Sequence, residues 1–456
     1  MTNLIVELSK YGLTILVALY TLMSFSILKQ KTAGQEKGFG LQRVILFFLH
    51  FLAYAVMYFQ TENDKLLVFY VAQVLLVSLV QMLFQTVYPG TNRLVLNNMC
   101  FLLSVGFIVL TRLSYDRAVK QFQIALLSLL VCFFVPFLIR KLKFLPWLSW
   151  VYGGAGLVLL VVVMLVGKDS NGAKLSLRLG ESFAVQPSEF VKILFALFTA
   201  SRLSKSTAFR DVVVTSVVAG IHVVILVLSR DLGGALIFFV MYLIVLYAAS
   251  KQPLYLFGGL AAGCGASYVA YQLFAHVRVR VLAWSDPFSY IDKEGYQITQ
   301  SLFAIGTGGW FGMGLFQGTP NKIPYVEQDF VFSAVAEELG GIFAICLILI
   351  CLSSFLMFVN IAMQLREPFY RLAALGLGTL YGFQVFLTIG GGIKCIPSTG
   401  VTLPLVSYGG SSLLASLLSF SIIQGMYLLR EDEETKIEKE KRVPKKGKTQ
   451  KTKKES

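Results

Sequence analysis

Long apolar stretches without charge recur along the chain. Residues 11–28, 66–88, 144–167, 212–229, 232–250, 252–277, 339–365 and 372–393 contain no Asp, Glu, Lys or Arg. Each approaches or exceeds the roughly 17–25 residues an α-helix needs to cross a bilayer. The alternating strands of a membrane β-barrel, ~10 residues each, would leave a different pattern. The hydropathy therefore predicts an all-α, polytopic membrane protein of about 13 segments. They lie near 11–28, 42–60, 66–88, 95–111, 122–139, 146–167, 188–204, 212–229, 232–250, 254–276, 331–361, 371–393 and 408–429.

Composition agrees. Hydrophobic residues make up 56% and charged residues only 14%, too little charge to cover a soluble surface. No small-residue cleavage site follows the first apolar run, which reads as a retained helix. Of six cysteines, Cys100, Cys132, Cys264, Cys346 and Cys351 fall in apolar spans and Cys395 near a loop. None has metal-ligand spacing, and no disulfide framework is expected. His50, His222 and His276 are scattered and read as packed imidazoles.

The net charge of +15 is uneven. Lys441 to Ser456 forms a basic tail, typical of a solvated segment held near anionic lipid. No aromatic pattern accompanies it, so nucleic acid is not an expected partner. With this tail in the cytoplasm, counting back places Lys29/Lys31/Lys37/Arg43, Arg140/Lys141/Lys143, Arg202/Lys205/Arg210 and Arg366/Arg371 inside, as positive-inside requires. The amino terminus then lies outside. Four connections face outward with it: 168–187, 230–231, 277–330 and 394–407. The third is too long for a bare connector and is expected to be ordered or functional.

These outward stretches carry distinctive wording. Residues 172–193 read GAKLSLRLGESFAVQPSEFVKI, and Asp231-Leu232-Gly233-Gly234-Ala235 opens a helix. The long connection begins RVRVLAWSDPF, runs through GYQITQSLFAIGTGGWFGMGL and ends QDFVFSAVAEELGG; residues 397–412 read PSTGVTLPLVSYGGSS. In that order on one face, they resemble the SEDS family (FtsW/RodA/SpoVE type), polytopic peptidoglycan glycosyltransferases that use lipid II. The resemblance covers roughly residues 95–430. It divides the chain into an extension of about three helices (1–94), a ten-helix body (95–430) with its large loop at 277–330, and a charged tail (431–456). Arg230 in place of a common Pro, PYVEQD at 324–329 in place of PEAHTD, and Thr399 in place of a frequent Lys depart from the family's usual wording.

Extending a β-1,4 glycan from a sugar pyrophosphate inverts the anomeric carbon. It needs a base for the acceptor hydroxyl and cations for the pyrophosphate leaving group. Asp286, in Trp284-Ser285-Asp286-Pro287, stands where the family has its catalytic Asp; without that match it would equally be a turn-forming Asp before Pro. Partial desolvation is expected to raise its pKa and strengthen it as a base. Asp292 and Glu294 lack the motif context and read as solvated. The resemblance also implies Arg280 as the first cation for pyrophosphate; Arg278, Lys174, Arg178, Lys322 and Lys394 lie on the same outward face against the positive-inside rule, which points to anion binding. Contact with anionic headgroups would explain them equally. Glu189 and Lys192, three apart, are placed to pair beside a substrate cavity, and Asp231 to cap its helix. Ser407, Tyr408, Ser411 and Ser412 offer hydroxyls for sugar or phosphate among permissive glycines; Gly409-Gly410-Ser411-Ser412 equally reads as the start of the last helix. Glu327, Asp329, Glu337 and Glu338 flank the eleventh segment; of the adjacent Glu337 and Glu338, at most one faces a cavity.

The resemblance implies lipid II and undecaprenyl-pyrophosphate-linked glycan as substrates, and a class B penicillin-binding protein as transpeptidase partner near 331–393. Metal dependence, as a divalent Mg or Mn ion, stays open. A lipid II flippase would carry mid-membrane charges and inverted repeats, and no repeat is evident. A non-enzymatic scaffold remains compatible with the enzyme reading.

Overall fold

The computed structural model describes residues 2–27, 32–170, 173–179 and 183–442. The loop lysines Lys29 and Lys31 and the basic run 443–456 lie outside the described residues. Three helices, α1 (Thr2–Ile27), α2 (Thr32–Thr61) and α3 (Lys65–Val87), precede α4 (Arg93–Leu113), α5 (Tyr115–Lys141) and α6 (Ser149–Val166). An antiparallel sheet follows, β1 (Lys168–Ser170), β2 (Ala173–Leu179) and β3 (Phe183–Val185), in that spatial order. Next come α7 (Pro187–Leu203), α8 (Phe209–Leu228), α9 (Leu232–Ser250) and α10 (Pro253–Leu273). The short helices α11 (Ala275–Ser285), α12 (Tyr296–Gly308) and α13 (Val331–Leu339) lead to α14 (Gly341–Gln364), α15 (Pro368–Gly392) and α16 (Gly410–Arg442).

Local chemistry sets several boundaries. Asn92 caps α4 by accepting from the Val95 N–H at 3.1 Å, and proline opens α7, α10 and α15, where its missing N–H costs nothing. Among the described residues, twelve helices are long and apolar enough to cross a membrane by length and composition. The chain is a polytopic helical membrane protein. The thirteenth expected segment, 188–204, is α7, whose 17 residues sit at the short limit of the spanning range; it is mostly buried among α6, α9 and α15.

One expectation needs correction. The segment expected over 331–361 is broken at Gly340, which takes φ +94°. A side chain there would meet the Gly312 nitrogen and Phe311 carbonyl carbon at 2.4 Å. The backbone of residues 309–312 thus presses into the break and accepts or donates in place of a helical turn: Gly341 N–H donates to Gly309 O at 2.8 Å and Ile342 N–H to Trp310 O at 3.1 Å. The long connection 277–330 is ordered, as expected, with most of α11 and all of α12 inside it.

Every residue of α4 from Leu94 to Thr111 is buried, wrapped by α2, α3, α5 and α14. By contrast α10 has no buried residue and packs on α9 and α11. The extension is fastened to this core by polar contacts as well as apolar ones. Tyr20 Oη donates to Asn98 Oδ1 at 3.2 Å, and Asn98 Nδ2 donates to Ser353 Oγ at 3.3 Å. Tyr54 Oη meets Thr111 Oγ1 at 2.8 Å and accepts from Gln73 Nε2 at 2.6 Å, while Gln73 Oε1 pairs with His50 Nε2 at 2.9 Å. Within an apolar bundle each such group needs a protein partner, because no water reaches it.

Candidate functional site

The four outward-assigned connections meet at one end of the bundle. Arg280 on α11 donates from Nη1 to Ser398 O at 2.9 Å, and Trp284 Nε1 donates to Lys394 O at 3.1 Å. The Gln186 N–H, just before α7, donates to Ser411 Oγ at 2.9 Å. Gly233 is packed so tightly on Thr399 and Val401 that an added side chain would strike Val401 Cγ2 at 2.4 Å. Segments far apart in sequence therefore build one surface, with 394–407 at its centre.

Its floor is a chain of charged and amide groups. Lys192 Nζ lies 2.8 Å from Glu189 Oε2, as their spacing on α7 predicts, and donates to Gln384 Oε1 at 2.8 Å. Gln384 Nε2 in turn donates to Thr402 O at 2.9 Å. Both charged residues are buried, a placement that requires direct pairing. Asp231 caps α9 by accepting from Gly234 N–H at 2.8 Å, and Glu189 and Lys192 act on it through space.

Above the floor, Arg280 Nη2 and Asp329 Oδ2 flank Gly400. A Cβ built on Gly400 would lie 3.8 Å from the first and 3.7 Å from the second. Both side chains are half-buried. Loss of solvent pushes the Asp329 carboxyl up to about 6 against the opposing pull of Arg280. Burial lowers Arg280 from its usual range, while Asp329 and Asp231 hold it up.

Asp286 lies on the rim rather than in this enclosure. It ends α11, is exposed, and accepts from the Ser289 N–H at 3.3 Å. The expected desolvation is absent. Hydrogen bonding from Ser289, helped by the charge of Lys394, holds its carboxyl below the usual range. Arg278, Asp292, Glu294 and Lys322 are exposed nearby in sequence and Lys394 is half-buried. The β2 backbone sets Lys174 opposite Asp169; the side chains of Lys174 and Arg178 lie outside the described residues.

The serine hydroxyls expected to meet substrate hold the loops in this structure. Ser407 Oγ donates to Gln328 O at 2.5 Å and accepts from Leu403 N–H at 2.9 Å. Ser412 Oγ bonds Thr402 Oγ1 at 2.7 Å, and Ser411 receives Gln186. Tyr408 N–H donates to Glu327 O at 2.7 Å, while Glu327 pairs with Arg117, whose guanidinium stands 5.8 Å from the Tyr408 ring. Glu337 and Glu338 both reach the 318–319 turn, where a side chain added at Gly318 would meet Glu338 Cγ at 2.9 Å and Glu337 Oε1 at 3.0 Å. Glu338 pairs with Arg112 at 2.7 Å, and Glu337 Oε1 accepts from Thr319 N–H at 2.8 Å. Sequence reasoning missed Asp329 and Gln384 as members of the cluster. Gln384 carried a usable signal, a lone amide in an apolar span; Asp329 had none beyond its place as the retained Asp that closes PYVEQD. Among the described residues, no three His, Cys, Asp or Glu side chains gather to hold a metal ion, so the divalent ion left open above has no protein cage there.

Residues 92–428 match the family model of the FtsW/RodA/SpoVE cell cycle proteins. The chain is 33% identical over 364 residues to the peptidoglycan glycosyltransferase RodA of Mycobacterium tuberculosis, covering 74% of this chain and 77% of that one. It is 36% identical over 297 residues to the probable peptidoglycan glycosyltransferase FtsW of Halorhodospira halophila, covering 60% and 73%. The solved rod shape determining protein RodA of Thermus thermophilus superposes with a TM-score of 0.58 at 25% identity, over 76% of this chain and 98% of that one. A chain of a peptidoglycan synthase complex, solved for its coordination of polymerization and crosslinking, superposes with a TM-score of 0.63 at 27% identity, over 75% and 98%.

Proposed function

The chain belongs to the FtsW/RodA/SpoVE family of cell cycle proteins, and from that premise we propose that it is a peptidoglycan glycosyltransferase of the bacterial membrane, polymerising lipid II into glycan strands at the outer face. The observation that carries this reading is the meeting of all four motif-bearing connections at one end, with an acid on the rim and a guanidinium behind it.

In this reading Asp286 takes the proton from the acceptor sugar hydroxyl of lipid II. Attack on the anomeric carbon then displaces the undecaprenyl pyrophosphate of the growing strand with inversion. Charge builds on the departing pyrophosphate, and Arg280, anchored through Ser398 O, stabilises it. An exposed, ionised Asp286 is a weak base in water. Two lipid-linked sugars closing over it strip that water and raise its basicity at the moment of transfer. Lys394 and Arg278 add positive charge on the rim, and the Glu189–Lys192 pair stiffens the floor. The amino terminus and the site end face outward and the basic tail faces the cytoplasm, consistent with the distribution of Lys and Arg. A class B penicillin-binding protein is the proposed transpeptidase partner, docking near 331–393. The complex to which one structural relative belongs is consistent with that pairing.

The test is lipid II polymerisation by purified protein, alone and with its transpeptidase. Asp286→Ala is expected to lose about 10²–10⁴-fold in rate, the range for removing a general base, with unchanged folding. Equal polymerisation by both proteins would reduce Asp286 to a turn residue.

A further inference from the structure

One carboxylate in the cluster has no task in the mechanism above. Asp329 faces Arg280 across Gly400, and its side chain accepts no hydrogen bond among the described residues. Asp231, the other acid acting on Arg280, is engaged by Gly234 N–H and by Ser188. The position between guanidinium and carboxylate is kept clear by a glycine at φ +73°, and any side chain there would fall within 4 Å of both groups. Arg280 and Asp329 make no direct ion pair, so the second guanidinium arm stays open to a ligand while the carboxylate remains close enough to act on it.

We propose that Asp329 is an internal counter-charge that weakens the hold of Arg280 on the departing isoprenyl pyrophosphate, so that the product leaves after each transfer. This rests on the reading of Arg280 as the leaving-group site. The physical reason is Coulombic: a fixed negative charge within several ångströms of an anion site, in surroundings of intermediate dielectric, lowers anion affinity substantially. Without it, a cation built to stabilise the leaving group would also retain the product, and release would limit turnover.

The sign with pH follows. Above about 6 Asp329 is ionised and opposes the anion; as pH falls through about 6 it takes a proton and the opposition disappears. Other charges face the same site. Arg280 and His276 come from α11, Asp231 and Arg230 from the turn before α9, and Glu189 and Lys192 from α7. The pH signature must therefore be read as the difference between wild type and a variant lacking only Asp329.

The experiment is calorimetric titration of undecaprenyl pyrophosphate, in detergent, into the full chain from about pH 5 to about pH 8, beside steady-state polymerisation of lipid II. Near neutral pH, Asp329→Asn is expected to bind about tenfold more tightly, to show a lower kcat and to suffer stronger product inhibition. Asp329→Glu should stay close to wild type, and the gap between wild type and Asp329→Asn should close below about pH 6. Weaker or unchanged binding in Asp329→Asn overturns the proposal. If Asp329→Asn does not fold, Asp329→Ser takes its place in the same comparison, and binding no tighter than wild type overturns the proposal. A wild type that neither polymerises lipid II nor binds the pyrophosphate removes the underlying reading instead, and that result differs from a working enzyme indifferent to Asp329.

Discussion

Asp286 and Asp329 occupy opposite surroundings at the same end of the bundle. Asp286 sits on the rim, exposed, and hydrogen bonding at Ser289 draws its carboxyl downward. Asp329 stands half-buried across a glycine from Arg280, and loss of water pushes its carboxyl up to about 6. The residue chosen by motif is therefore not the one with the raised pKa, and the environment expected for a base belongs to a neighbour in space. Motif position tells which residue stands where; packing of distant segments tells how strongly it holds its proton.

Substitutions on the floor and the rim sharpen the contrast. The largest stability effect is expected on the floor. Lys192→Ala leaves Glu189 buried without its cation and should destabilise by about 3–5 kcal/mol, read as a lowered Tm in detergent, with Lys192→Ala/Glu189→Gln recovering part of the loss. A melting temperature equal to wild type would mean that water reaches the pair. Ser412→Ala removes the partner of Thr402 Oγ1 and is expected to cost about 0.5–1.5 kcal/mol, with KM for lipid II unchanged. A raised KM at unaltered Tm would return Ser412 to the substrate. The smallest effect is expected on the rim, at Lys394→Ala. The Lys394 carbonyl still accepts from Trp284, so Tm should hold. The pull on Asp286 weakens, moving the acid limb of activity slightly upward; a shift downward would contradict the sign of that pull.

Much of the architecture was legible because membrane helices announce themselves by length and apolarity. The pairing of Glu189 with Lys192 and the Asp231 cap were equally legible, being contacts within a few residues. The break at Gly340 was not, since it depends on the 309–312 backbone pressing into it. The sheet β1–β3 was missed because strands of three to seven residues carry little periodicity. Asp329 escaped because its partner lies on α11 and its gap on residues 398–400. The loop contacts of the serines at 407–412 were not legible for a related reason: a hydroxyl in a glycine-rich loop reads alike whether it awaits a ligand or pins a turn.

The hydrogen bonds of Asn98 have a consequence for biosynthesis. Its carbonyl oxygen accepts from Tyr20, which precedes it in the chain, whereas its amide donates to Ser353, 255 residues later. At about 5–20 residues per second of translation, that donor waits roughly 13–50 s for its mate. Through that interval the early helices reside in the bilayer with a polar group unsatisfied. The first third of the protein is therefore inserted before it is finished, and α14 completes what α1 and α4 begin.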